Sequence, residues 1–128
     1  MREAMNPLNY ASLEASKKLV ENGIVLETDA VWGKLDTCDY GLFYSWQYAN
    51  DDCIPAPCFT EVWRELPWVI DNYGLISMNK VDNITCCGYR KGMAIREPKF
   101  ESENPTDAII DLLVWLSGEG NDQRRRED

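Results

Sequence analysis

Leu75 to Tyr89 reads LISMNKVDNITCCGY. Two short runs rich in apolar and β-branched residues, Leu75–Lys80 and Ile84–Tyr89, flank Val81-Asp82-Asn83, where Asp and Asn tolerate tight-turn backbone angles. This pattern predicts an antiparallel hairpin. Side chains alternate across a strand, so Cys86 and Cys87 are expected on opposite faces.

Downstream, Arg90 to Ser102 reads as irregular chain or a further strand around Met93 to Arg96. Asn104-Pro105-Thr106-Asp107 then forms a helix start, with Asn as cap, Pro at the first position and an acid in the first turn. The helix should run to about Ser117, before Gly118. Ile109, Leu112, Leu113 and Leu116 make an apolar stripe that Trp115 broadens. Residues 119–128 are polar and read as a disordered tail.

Upstream stands IPAPCFTEVWRELPWVI, Ile54 to Ile70. Its first two prolines stiffen the approach, Thr60 can cap a helix over Glu61–Leu66, and Pro67 ends it. Val62, Trp63 and Leu66 share a side, leaving Glu61 and Glu65 outward. Trp63 is expected buried and Trp68 at least partly exposed. Gly41 to Ala49 alternates as a strand, with Leu42, Tyr44, Trp46 and Tyr48 on one face. It should pair antiparallel with a strand over Ile24–Trp32, through a turn at Gly33–Gly41, and Asn50–Pro57 should be an extended loop. A first helix is expected over Asn9–Asn22, with Leu13, Ser16, Leu19 and Val20 at helical spacing and Gly23 as a left-handed stop. Met1 to Pro7 reads as a loose lead-in. The predicted fold is α+β: one domain over residues 1–118, with an antiparallel sheet of about four strands in two hairpins and helices packed mainly on one face.

Charge is uneven along the chain. The net is −9, and from Glu27 to Asp71 nine acids oppose two bases, leaving −7. From Lys80 to Lys99 five bases oppose two acids, leaving +3. An acidic surface repels nucleic acid and membranes and suits a basic or apolar protein surface. No apolar run approaches the ~20 residues of a membrane span, and the N-terminus lacks the apolar core of a signal peptide. A cytoplasmic protein is the expectation.

There is no histidine, which removes Ser-His and Cys-His nucleophile pairs and His-based metal sites. Five cysteines, an odd number, read as reduced thiols. Cys53, Cys58, Cys86 and Cys87 could supply four thiolates to zinc, but vicinal cysteines on opposite strand faces rarely ligate one tetrahedral ion. Cys87, near Arg90 and Lys91, is the one sequence-local candidate for an activated thiol, and strand burial opposes it. Asp51-Asp52 and the pair Glu27 and Asp29 read as solvated acids. No glycine pattern cradles phosphate, and the Arg124–Arg126 triplet is flanked by acids. No catalytic, cofactor or metal residue emerges. The aromatics exceed what the core needs, and Trp and Tyr anchor protein interfaces. The candidate partner-binding residues are Tyr44, Trp46, Tyr48, Asp51, Asp52, Glu61, Glu65 and Trp68.

Three stretches carry a resemblance: KLVENGIVLETD (Lys18–Asp29), IPAPCFTEVWRELP (Ile54–Pro67) and NPTDAIIDLLVWL (Asn104–Leu116). In these the chain resembles a family of small uncharacterised phage and prophage proteins. The resemblance implies a phage or mobile-element origin and brings no catalytic residue with it. Together these readings predict a non-enzymatic accessory protein that binds a host or phage protein, for instance to inhibit a host defence or regulatory factor. The alternatives are a self-associating structural subunit and a thiol- or zinc-dependent protein.

Overall fold

The computed structural model describes residues 9–34, 39–45, 53–70, 73–92, 94–95 and 99–120. The predicted strands over Gly41–Ala49 and around Met93–Arg96 therefore lie partly outside the described residues, as do Met1–Pro7 and most of the polar tail.

The first helix, α1 (Leu13–Glu21), begins later than the spacing of apolar residues suggests. Ser12 decides the start: its hydroxyl accepts the Ala15 N–H at 3.1 Å and satisfies a donor that the first turn leaves open. At the other end, Gly23 takes φ +71, as expected. The Gly23 N–H reaches Val20 O at 3.0 Å and the Ile24 N–H reaches Leu19 O at 3.0 Å, which is a Schellman close.

The predicted strand over Ile24–Trp32 is shortened to β1 (Ala30–Lys34). From Ile24 to Asp29 the side chains alternate between half-buried and exposed, yet the backbone forms no ladder there. β1 pairs antiparallel with β2 (Tyr40–Tyr44), as predicted. Its other edge is taken by β3 (Ile54–Pro55), a piece of what the sequence suggested was loop. Pro55 has no N–H to offer, so this three-stranded sheet ends at an edge strand that tolerates proline.

The helix α2 (Phe59–Trp63) is capped by Cys58, not Thr60. Glu61, three residues on, accepts the Cys58 N–H at 2.9 Å and fixes the start two residues earlier than a Thr60 cap would, and the helix also ends earlier than expected, at Trp63 and not before Pro67. The chain then forms a second sheet from β4 (Val69–Ile70), β5 (Gly74–Val81), β6 (Ile84–Lys91), β7 (Ala94–Ile95) and β8 (Phe100–Ser102). The order is β4-β5-β6-β7, with β8 also pairing β6. β5 and β6 form the predicted hairpin; their last pair is Val81 with Ile84, and Asp82 turns the chain at φ +55. The α+β class is as expected, but the two hairpins belong to separate sheets and not to one.

The helix α3 (Pro105–Trp115) starts as the sequence predicts. Asn104 Oδ1 accepts the N–H groups of Thr106 at 2.9 Å and Asp107 at 3.3 Å. A π turn, Leu116–Gly120, continues past the expected stop at Gly118. Ile109, Ile110 and Leu112 are fully buried, with Leu113 and Leu116 nearly so. α3 is the centre of the core, packed against β6, β8, α1 and α2. α1 is tied to it by Ser12 N–H to Asp107 Oδ1 at 2.8 Å and by the ion pair of Lys18 with Asp111 at 2.6 Å. The hydroxyl of the buried Tyr89 donates to Pro67 O and holds the segment between α2 and β4 against the large sheet.

Candidate protein-binding surface

Four of the eight predicted contact residues, Trp46, Tyr48, Asp51 and Asp52, lie outside the described residues. Each of the other four has a distinct setting.

Tyr44 ends β2 and is half-buried. It lies beside Tyr10, whose phenol is pushed above its usual range, first by burial and then by Tyr44.

Glu61 is not the outward acid predicted for it: it is only 8% exposed. Its second oxygen accepts the Asp29 N–H at 3.2 Å, so the carboxylate joins α2 to the segment before β1. A partner cannot use a carboxylate that is already engaged in this way. Glu27, Thr28, Asp29, Glu61 and Arg64 line an open polar pocket of about 550 Å³. Removing the carboxylate strands two backbone donors, which costs roughly 1–3 kcal/mol. Glu61→Ala is therefore expected to lower unfolding stability in urea by about 2 kcal/mol, and Glu61→Gln by less. A solvated acid would give changes within about 0.5 kcal/mol.

Glu65 and Trp68 are exposed, Trp68 at 72%. Trp68 was expected to face solvent, and it does. Trp63 was expected in the core, but it is 37% exposed and stacks on Phe59 with ring centres 5.6 Å apart. Phe59, one turn earlier, supplies an intrahelical partner for the ring, while Val62 and Leu66 fill the core below. Val69 and Leu75, paired across β4 and β5, are also exposed and were not singled out from the sequence. The signal was present: β4 follows directly on Pro67-Trp68, and two residues pair too little to bury both faces of an edge strand. Arg64, Glu65, Trp68 and Val69 thus form an exposed run leading into β4, the edge strand of the larger sheet among the described residues.

Cys53, Cys58, Cys86 and Cys87 are all free. Cys87 lies inside the core, its Sγ 3.2 Å from Ala108 O, and burial pushes its thiol up to about 12. Arg90 and Lys91 are exposed and do not activate it. Cys86 points to the other face, as predicted, with Sγ 3.0 Å from Glu101 Oε2; this hydrogen bond raises its thiol as well. Among the described residues no three Cys, Asp or Glu side chains converge on a common point that could hold a metal. No helix among them is long and apolar enough to cross a membrane.

Comparison with protein-family models, curated proteins and solved structures finds no match for this chain.

Proposed function

We propose that this chain is a non-catalytic accessory protein of the phage type, acting by binding another protein through the exposed run from Arg64 to Val69. The observation that supports this most is Trp68, an indole 72% exposed beside β4, the edge strand of the larger sheet among the described residues. Covering such a ring on a partner is worth on the order of 3 kcal/mol, and a lone solvated Trp has no structural use. Glu65 and the net charge of −9 favour a partner whose contact surface is basic at its rim and apolar at its centre. The resemblance of three motifs to phage and prophage proteins supports a host defence or regulatory factor as that partner.

The test is affinity capture from bacterial lysate with the wild-type chain and Trp68→Ala in parallel. The expected result is a protein retained by the wild type and lost with Trp68→Ala, whose unfolding midpoint stays within about 0.5 kcal/mol of wild type because the ring supports no core contact. Equal retention by both chains would contradict the proposal.

A further inference from the structure

Toward its turn, the β5–β6 hairpin meets the segment that leads into α3. Met78, Asn79, Lys80, Thr85, Glu103 and Pro105 line a pocket of about 330 Å³ there, a volume in the range that holds small molecules. Lys80 and Thr85 face each other directly across the two strands, and Met78 shares their face two residues back. Thr85 is only 5% exposed. Its hydroxyl has no hydrogen-bond partner among the described residues, although a hydroxyl removed from water and left unpaired is costly. Ser102, its neighbour on β8, is already engaged: Ser102 Oγ accepts the Asn104 N–H at 3.1 Å. Thr85 lines the pocket and so offers its hydroxyl to whatever enters. Lys80 and Glu103 bring opposite charges to the same pocket, both exposed, and neither makes an ion pair among the described residues.

We infer that this pocket binds a free α-amino acid with an apolar side chain. A ligand carrying a single charge satisfies one of Lys80 and Glu103 and is opposed by the other. A zwitterion answers both. Its carboxylate takes the Lys80 ammonium and the Thr85 O–H, which stand side by side in the register, as charge-assisted hydrogen bonds. Its ammonium takes the Glu103 carboxylate. Met78 and Pro105, both half-buried, supply the apolar wall against which the side chain loses its contact with water. The buried hydroxyl thereby gains the partner that it lacks in the free chain. The inference does not rest on the proposed function, because no residue of the run from Arg64 to Val69 lines this pocket.

Titration of the full chain with L-leucine, L-methionine and L-phenylalanine, followed by the amide NMR signals of Met78 and Thr85, tests it. At least one of the three is expected to give saturable shifts with a dissociation constant of about 1 mM or tighter. For the tightest of them, Lys80→Met and Glu103→Gln should each raise that constant at least about tenfold. Thr85→Val, which keeps the size and removes the hydroxyl, should raise it roughly threefold to tenfold. Thr85→Val should not lower the urea midpoint of the free chain, since it removes an unpaired polar group. 4-Methylpentanoate, which lacks the ammonium of leucine, and isopentylamine, which lacks its carboxylate, should bind at least about tenfold more weakly than leucine. No saturable shift with any of the three amino acids overturns the inference. So does binding that Lys80→Met and Glu103→Gln leave unmoved, or a single-charge analogue that binds as tightly as leucine. A clear fall in the midpoint of Thr85→Val would show the hydroxyl already paired and overturn its assignment to the ligand. Trp68→Ala leaves the titration unchanged, so this pocket and the protein-binding surface fail or stand separately.

Discussion

Gly74→Ala is expected to destabilise the chain by roughly 3 kcal/mol, since positive-φ strain and steric overlap each cost about 1–3 kcal/mol. Gly74 opens β5 at φ +95, where a side chain is strained whatever space surrounds it. The space is also absent. A Cβ at this position would overlap the carbonyl oxygen of Arg90, and would stand 2.7 Å from its carbon and 3.1 Å from Lys91 Cα. These are backbone atoms of the paired strand and cannot swing aside. β4 and β5 meet here, with the Tyr73 N–H on Ile70 O at 3.0 Å, so relieving the overlap breaks the pairing of Ile70 with Gly74. Urea unfolding measures the loss. A drop below about 0.5 kcal/mol would mean that the turn into β5 is looser than its geometry indicates.

Leu112→Ala should have a comparable or larger effect, about 2–5 kcal/mol. Leu112 is fully buried on α3, the helix that meets both α1 and α2 and the inner face of the large sheet. Truncation leaves a cavity among elements braced from several sides, so the site cannot collapse to fill it. For a domain whose whole stability is on the order of 5–15 kcal/mol, this is a large share. Val114 is half-buried on the same helix, and Val114→Ala is the control: its cost should be visibly smaller in the same titration.

These two positions mark what sequence can and cannot reveal. The stripe containing Leu112 was legible because helical period and the Asn104-Pro105 start are local signals. The β5–β6 hairpin and the Gly23 close were legible for the same reason. Gly74 gave no signal, since its need for glycine comes from a carbonyl on another strand. The same holds for Glu61: a carboxylate near a helix start reads as a solvated acid until Asp29, distant in sequence, presents its N–H. Cys58 displaced Thr60 as cap because that same carboxylate accepts the Cys58 N–H. Ile24 to Asp29 was read as strand from its Ile, Val and Leu content, but a strand needs a partner, and the ladder begins only at Ala30 because pairing is not written in one segment. The division into two sheets follows from where Ile54 and Pro55 dock. Within the contact surface, Trp68 was legible because it follows Pro67, although α2 already ends at Trp63 and not at the proline, whereas the exposure of Trp63 depends on its stack with Phe59.

Hydrogen–deuterium exchange of the chain, alone and bound to the protein it captures, tests the proposed binding surface most directly. Slowed exchange on binding is expected over residues 64–70, with the inner core around α3 unchanged. Protection confined to other segments, with residues 64–70 exchanging as in the free chain, would contradict the assignment of Trp68 and the β4 edge as the surface that binds.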